Sequence, residues 1–257
     1  MQLFCQTNVP VNQNLLYKTS EDARNSVCGD LDIHCNEDTG FIYNKAFDPN
    51  LINYSENYNN NQYHSSYFGT YIAEQINWLT AKFGQSGLTI IEIGCGKGYY
   101  SRLLAERFPL CKIYGFDTSY VKSADDNLPN LQFYNEYFTE KYSYLRPDVV
   151  ICRHVIEHIQ DPLDFLTKIR ATISENTLLF LETPDVNWIL ENTVIFDFFY
   201  EHCSYFNPSS LGNVLRMAGF ESIETRRAFG GQYMWSVARA TNNKQQTTNE
   251  PLRKLCA

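Results

Sequence analysis

The chain has 257 residues, of which 44% are hydrophobic, and its formal net charge at pH 7 is -8. This length suffices for one α/β domain of about 150 to 200 residues with a smaller appendage. The negative charge repels a phosphate backbone, and no apolar run approaches the ~18 residues that a membrane span needs. We therefore expect neither a nucleic acid nor a membrane as a partner.

The N-terminal segment MQLFCQTNVPVNQN lacks the basic start and the apolar centre of a secretory signal. Eight cysteines are scattered along a chain that is too large to need disulfide bonds for its stability. We therefore expect a cytoplasmic protein with reduced thiols.

The first 80 residues are rich in Asn, Tyr and Ser, a composition that permits disorder. Their aromatic density argues for order, with tyrosines at three- to five-residue spacing (Tyr54, Tyr58, Tyr63, Tyr67). The segment 67–83 places apolar residues at helical intervals before the sequence GQSG interrupts the pattern. These patterns predict an ordered N-terminal cap region over residues 1–83 that ends in a helix leading into the main domain.

From residue 84 to residue 240 the chain alternates apolar, strand-like runs with helical stretches, which is typical of a parallel sheet flanked by helices. Seven strands are predicted, at 88–94, 111–117, 131–137, 148–154, 177–183, 220–226 and 233–239. Helices are predicted at 99–108, 155–173 and 209–219. The fold class is therefore α/β with a doubly wound sheet, followed by a polar tail at 241–257.

An aromatic insertion, DVNWILENTVIFDFFYEHCSYFN, lies between Pro184 and Pro208. It is longer than a simple connection between a strand and a helix. Connections of this length above a sheet tend to build binding sites. We expect this insertion to contribute to a substrate site.

The segment TIIEIGCGKGYYS places Gly94, Gly96 and Gly98 between a buried strand and a helix. This geometry brings backbone N–H groups and the positive end of a helix dipole to one point. A dinucleotide motif needs a small residue where Tyr99 lies, and a phosphate-clamping loop needs Ser or Thr after its lysine. The remaining candidate ligand is a nucleoside without a pyrophosphate. The carboxylate of Glu92 suits a ligand with a cationic amino group.

The segment EIGCGKG resembles motif I of the class I S-adenosylmethionine (SAM) dependent methyltransferases. The resemblance extends over about 150 residues, through IYGFD, PDVVICRHVIEHIQDPLDFL and LLFLETPDVN. It implies a Rossmann-like SAM-binding fold in which Asp117 takes the ribose hydroxyls. It also implies cofactor contacts from Glu92 and the three glycines and, beside the adenine, from Glu136 and Tyr137.

A narrower resemblance is to the sugar C-methyltransferase family, which acts on nucleotide-linked keto-sugars. It rests on VPVNQNLL, GDLDIHC, GFIYNKAFDPNLINYSENY, FFYEHCSYFNPSSL and GGQYMWSVAR. It implies C-methylation of a small molecule, either a sugar or another intermediate of natural-product biosynthesis. The family's zinc-binding Cys-x-x-Cys pairs are degenerate here, since Asn8 follows Cys5 and Asp38 follows Cys35 at the partner positions. We therefore expect no metal, and the family's C-terminal domain has no counterpart in these 257 residues.

This resemblance implies that His202, within the insertion, is a general base and that the neighbouring Glu201 orients it. His158 lies where the family places a second histidine near the substrate, and we expect His154, at the end of the fourth predicted strand, to face SAM or substrate. Substrate contacts are expected from three tyrosines (Tyr54, Tyr58, Tyr200). Tyr200 lies one position beyond the family's tyrosine, which is Phe199 here.

Three other functions remain open at this point. A small-molecule O-methyltransferase of the quinone-biosynthesis type is one of them, because that family shares the EH and DP pairs of the segment VIEHIQDP. A SAM-binding module without turnover would agree with the degenerate cap. A nicotinamide-dependent oxidoreductase is disfavoured by Tyr99 and Glu92. The atom that is methylated and the oligomeric state do not follow from the sequence.

Overall fold

The structure is a computed structural model that describes residues 1–13, 15–52, 65–84 and 86–241. Two of the predicted substrate contacts, Tyr54 and Tyr58, lie outside the described residues. The predicted polar tail also lies outside them, except for Thr241.

The described residues form eleven strands and six α-helices. The strands are β1 (Gln2–Pro10), β2 (Cys28–Cys35), β3 (Ile42–Asn44), β4 (Ser86–Ile93), β5 (Leu110–Phe116), β6 (Leu131–Tyr134), β7 (Val149–Arg153), β8 (Leu178–Pro184), β9 (Ser204–Tyr205), β10 (Phe220–Ala228) and β11 (Tyr233–Ala240). The helices are α1 (Ser20–Arg24), α2 (Ser66–Phe83), α3 (Tyr99–Arg107), α4 (Pro162–Thr172), α5 (Val186–Glu191) and α6 (Pro208–Met217). Within the described ranges, none of these helices has both the length and the apolar character needed to cross a bilayer.

Seven strands form one large sheet in the order β10-β11-β8-β7-β4-β5-β6. The strands from β8 to β6 in this order are parallel, whereas β11 is antiparallel to β8 and β10 is antiparallel to β11. The predicted doubly wound, seven-stranded sheet is confirmed. All seven predicted strands are present.

Helices cover both faces of this sheet because successive side chains of a strand point to opposite faces. Ile90 and Ile151 pack in one buried cluster with side chains of α2 and α3. Their neighbours Ile91 and Val150 pack in a second cluster with side chains of α4 and α6. Strands that are buried on both faces carry continuous apolar runs, which made them visible in the sequence.

The chain runs outward from β4 to β5 and β6, and then returns to β7 on the other side of β4. This reversal leaves a crevice at the carboxyl ends of β4 and β7, where ligands of open α/β sheets bind. The glycine loop follows β4, and the segment with His154 and His158 follows β7. The topology therefore brings the two predicted motifs to the same edge of the sheet.

Two predicted elements are shorter than expected. The helix predicted at 155–173 is a 3₁₀ turn at Ile156–His158 and a separate helix α4 that begins at Pro162. Proline lacks the N–H that a continuous helix would need there, and the Asp161 side chain caps the new N-terminus. The strand predicted at 131–137 ends at Tyr134, and the side chain of the next residue, Asn135, donates to the carbonyl groups of Thr118 and Tyr120.

A small antiparallel sheet in the order β1-β2-β3-β9 contains a strand from the aromatic insertion. In this sheet β3 pairs with β9, so that Ile42 faces Tyr205. A third buried cluster joins both parts of the chain, with Leu31 and Ile33 from β2 and Ile189 and Tyr200 from the insertion. The N-terminal residues and the insertion therefore share one core, although the sequence suggested a cap formed by residues 1–83.

Replacement of Gly29 by alanine tests this shared core. A Cβ atom at Gly29 would overlap the ring of Tyr200, which is fully buried and hydrogen-bonded through its hydroxyl to Asp48. We expect Gly29→Ala to lower the free energy of unfolding by about 1 to 3 kcal/mol in urea denaturation, because overpacking displaces the ring. Gly212→Ala is the control, since Gly212 lies in α6 with open space around its Cβ position. It should raise stability by up to about 1 kcal/mol, and equal effects of the two substitutions would contradict the shared core.

Candidate active site

The three glycines after β4 have different surroundings, although all three have positive φ angles. A Cβ atom at Gly94 would overlap Val155, and one at Gly98 would overlap Phe133. A Cβ atom at Gly96 would have no atom within 4 Å among the described residues. Gly94 and Gly98 therefore permit close packing of the protein itself, and Gly96 borders the open side of the loop.

Asp117 follows β5 and lies beside this loop. Its Oδ2 accepts a hydrogen bond of 2.8 Å from the Gly96 N–H. Its Oδ1 accepts bonds of 2.7 Å from the backbone N–H and from the hydroxyl of Ser119. The structure thus brings together the predicted ribose ligand and the predicted cofactor loop, and it holds the carboxylate of Asp117 in a defined orientation.

Glu92 lies in the core at the end of β4 and is 3% exposed. Its carboxylate accepts a hydrogen bond from the hydroxyl of Ser101 in α3. Burial raises the pKa of Glu92 to about 7, an effect that the Ser101 hydrogen bond and the nearby charge of Arg153 partly offset. Glu92 therefore connects β4 to α3 in the structure, and its predicted role as a cofactor contact stays a prediction.

Glu136 and Tyr137 lie in the loop beyond β6. Glu136 pairs with Lys141 and the hydroxyl of Tyr142, and these hydrogen bonds lower the pKa of its carboxyl. The Tyr137 side chain is 75% exposed. These two residues belong to the solvent-facing rim of the sheet edge.

His158 and His202 are brought together from two different segments. Their ring centroids are 4.8 Å apart and the ring planes are nearly perpendicular. Nδ1 of His158 forms a 2.9 Å hydrogen bond with the carbonyl oxygen of Glu201. Nδ1 of His202 is buried and has no hydrogen-bond partner among the described residues.

The carboxylate beside this histidine pair belongs to Glu157, which is 2% exposed. Glu157, His158 and His202 each place one side-chain oxygen or ring nitrogen within 4.8 Å of those of the other two residues. The Glu201 carboxylate, which was expected to orient His202, instead accepts a 2.7 Å hydrogen bond from the Gln13 backbone N–H. Sequence reasoning missed Glu157, although it immediately precedes His158.

Burial lowers the pKa of His202 well below its usual value, and a charge on His158 would lower it further. Glu157 acts in the opposite direction but does not reverse the shift. Glu201 is not among the groups that shift the pKa of His202. At neutral pH His202 is an uncharged imidazole that can accept a proton.

His154 lies at the end of β7 with a positive φ of 51°. Its Nδ1 is 3.3 Å from a Glu157 oxygen, and its Nε2 is 3.1 Å from a Glu182 oxygen. Burial opposes a charge on the ring, but these two carboxylates raise the pKa of His154 to about 9. His154 is therefore an imidazolium at neutral pH and donates to both acids.

Tyr200 lies in the core that the insertion shares with the small sheet, and its side chain is fully buried. Its hydroxyl accepts a hydrogen bond of 2.8 Å from the Asp48 backbone N–H. In the structure this predicted substrate residue packs against Phe47 and belongs to the core shared by the insertion and the small sheet. The predicted contact of Tyr200 with a substrate stays a prediction.

Four side chains near the degenerate Cys-x-x-Cys positions could offer zinc ligands (Cys5, Cys28, His34, Cys35), but they do not form one group in the small sheet. Cys5 faces Asp32 across the β1–β2 ladder, whereas Cys28 faces Pro10. Within the described parts of the chain, no group of metal-binding side chains includes Cys5, Cys28, His34 or Cys35. His34 instead forms a 2.9 Å pair with Asp32.

Replacement of Glu92 by glutamine tests the buried carboxyl. The ordinary pKa of this group is 4.5 and its folded-state pKa is about 7, so the folded protein retains a proton that the unfolded chain releases. The free energy of unfolding should therefore fall as the pH rises from 4.5 to 7, by up to about 3 kcal/mol. We expect Glu92→Gln to lack this fall in denaturant titrations across the window. Glu106→Gln, on the exposed side of α3, should keep it, and parallel curves for Glu92→Gln and the parent would contradict the assignment.

A family model described as "Methyltransferase domain" matches residues 63–225, which is more than half of the chain. The match includes the glycine loop, Asp117, the segment with His154 and His158, and the insertion with His202. It covers six strands of the large sheet completely or in part.

Two curated relatives are ubiquinone biosynthesis O-methyltransferases. The protein from Cereibacter sphaeroides is 25% identical over 199 residues, which are 65% of this chain and 75% of the relative. The protein from Pseudomonas paraeruginosa is 26% identical over 121 residues, which are 44% of this chain. That match spans about half, 51%, of the length of the Pseudomonas relative.

A similar solved structure is that of the 1,6-didemethyltoxoflavin-N1-methyltransferase from Burkholderia thailandensis, with bound 1,6-didemethyltoxoflavin and S-adenosylhomocysteine. It has a TM-score of 0.52 and 16% sequence identity, and the likeness covers 82% of this chain and 99% of that one. At this identity the likeness shows a common fold. The family match over residues 63–225 carries the assignment: the chain belongs to the methyltransferase domain family, and the expected class, a SAM-dependent methyltransferase, is confirmed.

Proposed function

We propose that this methyltransferase methylates a carbon or oxygen atom of a small molecule after His202 has removed a proton from it. The observation that carries the proposal is the state of His202. It is a buried, uncharged imidazole beside His158, and its Nδ1 has no partner within the described ranges. This nitrogen is buried and unpaired within the described ranges, and we propose that it receives the proton of the acceptor.

The residues at the carboxyl ends of β4 and β5 fit the cofactor. Gly96 leaves open space beside the loop, and the partly exposed Asp117 carboxylate lies next to it. We propose that the loop holds SAM through Gly94, Gly96 and Gly98, and that Asp117 binds its ribose. SAM, when bound, supplies an activated methyl group for in-line transfer.

His202 can serve as the base because its segment lies at the same sheet edge as the proposed cofactor loop. The insertion is tied to this edge by the Ser204 hydroxyl, which donates to the Ile159 carbonyl, and by the bond between His158 and the Glu201 carbonyl. The depressed pKa of His202 keeps the ring unprotonated at neutral pH. A positioned base of this kind contributes a factor of about 10² to 10⁴ to the rate.

Two acceptor classes are consistent with this chemistry. The resemblance to sugar C-methyltransferases favours a carbon next to a carbonyl group in a sugar or natural-product intermediate. The names of the curated relatives favour a hydroxyl group of a quinone precursor. Assays with a nucleotide-linked keto-sugar, a β-dicarbonyl compound and a catechol, each followed by mass spectrometry of the product, separate the classes. Absence of any methylated product with a broad acceptor panel would favour a SAM-binding module without turnover.

Substitutions at Asp117 and Gly96 test the proposed cofactor site. Removal of a carboxylate that accepts from two ribose hydroxyls costs about 1 to 3 kcal/mol, so Asp117→Ala should weaken SAM binding about 10-fold or more. Gly96→Val should abolish binding, because its side chain enters the open space and its φ of 54° disfavours a β-branched residue. Isothermal titration calorimetry measures both. Asp125→Ala, at an exposed position, is the matched control and should bind like the parent; parental affinity in both site variants would show that the site is elsewhere.

Replacement of His202 by asparagine tests the base. We expect His202→Asn to lower turnover by about 10² to 10⁴ and to leave SAM affinity nearly unchanged, because the ring faces the acceptor. The parent's rate should rise with pH through an ionisation below 6.5, in line with the lowered pKa of His202, and the variant should lack this ionisation. Steady-state kinetics from pH 5 to pH 8 measure both effects.

The matched control for this test is His34→Asn, which removes a histidine of the small sheet that pairs with Asp32. A chelator should not change turnover of the parent, since the proposed chemistry needs no metal. If His202→Asn retains most of its turnover and the parental pH profile, His158 becomes the candidate base. If His158→Asn is also active, the enzyme works by alignment of the reactants alone.

A further inference from the structure

We propose that His154 is a positioning residue that clamps Glu157 beside the histidine pair and keeps its carboxylate ionised. The proposal rests on the proposed function, in which His202 is the base. It assigns to Glu157 the supporting role that the sequence suggested for Glu201. It assigns to His154 an action through Glu157, without contact with the acceptor.

Both ring nitrogens of His154 face a carboxylate oxygen, which is a hydrogen-bond acceptor. Glu157 lies 3.3 Å from its Nδ1, and Glu182 lies 3.1 Å from its Nε2. A neutral imidazole has only one N–H and can donate to only one of these acids. The bridge is complete only when the ring is an imidazolium.

The ring of His154 is held from several sides. Its backbone N–H donates to the Glu182 carbonyl oxygen at 2.8 Å, and its ring packs edge-on against Tyr233 with centroids 4.6 Å apart. Glu182 itself is fully buried and also accepts from Tyr71 and Arg153. The anchor of the bridge is therefore rigid, and Glu157 takes its position from that anchor.

The buried charges balance in pairs along this bridge. Arg153 offsets Glu182 with a 2.6 Å contact, and the His154 imidazolium offsets Glu157. Glu157 also accepts from the Thr183 hydroxyl at 3.0 Å. Without His154, this buried carboxylate would keep the Thr183 hydroxyl as its hydrogen-bond donor among the residues that the structure describes.

Glu92 shows what such a carboxylate does in this protein. It is buried, it accepts from one serine hydroxyl, and burial raises its pKa to about 7. Glu157 is equally buried, but its hydrogen bond and charge interaction with His154, together with smaller charge interactions with His158 and His202, outweigh burial and lower its pKa to about 2. We assign the larger part of this difference to His154, whose hydrogen bond and charge are the two largest of the effects that lower the pKa.

An ionised Glu157 supports the base because its negative charge stabilises the imidazolium that forms when His202 accepts a proton. The titratable groups that act on the His202 ring are Glu157, His158 and His154, and the ring also packs against Tyr205. Of these, only Glu157 favours the protonated ring. Loss of its charge should therefore slow proton removal from the acceptor.

The pH dependence of turnover in His154→Gln tests the proposal. Glu157 should then titrate near neutral pH, as Glu92 does, so only about a tenth of its carboxyl should be ionised at pH 6. Turnover should therefore fall by up to about 10-fold at pH 6 and recover towards the parental value above pH 8. SAM affinity should stay unchanged. Glu157→Gln should be slow at every pH, and the double variant His154→Gln/Glu157→Gln should be no slower than Glu157→Gln and should lack the recovery.

Recovery at high pH separates this role from a structural one, because a misfolded variant would not regain turnover there. Uniformly low turnover of His154→Gln, or a parental rate and profile, would overturn the proposal. His34→Gln is the matched control, because it also removes a histidine that pairs with an acid, and it should behave like the parent.

Carboxyl ¹³C NMR of Glu157 gives a readout that does not depend on turnover. In His154→Gln the Glu157 titration should move from about pH 2 to near pH 7. If it does not move, the proposal is wrong whatever the kinetics show. If it moves while His202→Asn remains active, the clamp is correct and the proposed base is wrong.

Discussion

The buried carboxylate of Glu182 is the interaction on which the sheet edge depends. It is fully buried and accepts hydrogen bonds from Tyr71 and Gln75 of α2, from Arg153 at the end of β7 and from His154, the next residue. A buried charge is tolerated only when its acceptor sites are filled, so these partners must keep their positions together. The side chain of Glu182 in β8 therefore connects α2, β7 and the proposed active site.

The sequence predicted the large sheet well because its strands are buried on both faces. Continuous apolar runs such as that of β7, together with the three closely spaced glycines, specify the element type and the switch point without reference to distant residues. The helix predicted at 155–173 was too long because its apolar spacing continues through Asp161 and Pro162, which begin a new helix. Local capping chemistry outweighed periodicity at that point.

The site was predicted less completely, because its decisive contacts join segments far apart in the chain. The sequence pointed to His158 and His202, and the structure brings their rings together. The sequence could not show that the Glu201 side chain binds the Gln13 backbone while Glu157 lies beside the two histidines. Proximity in the sequence does not determine the direction in which a side chain points. The pairing of β3 with β9 was equally hidden, because two residues carry no periodic signal.

The pairing between β3 and β9 also bears on how such an enzyme can be recombined. The insertion that carries His202 completes a sheet whose other strands come from the first 44 residues, and the two parts bury their apolar side chains in one cluster. A chimera that exchanged the insertion alone would place a foreign strand and foreign core residues against the resident sheet. Acceptor specificity should therefore be transferable between homologues only as a two-segment module, with the N-terminal strands and the insertion moved together.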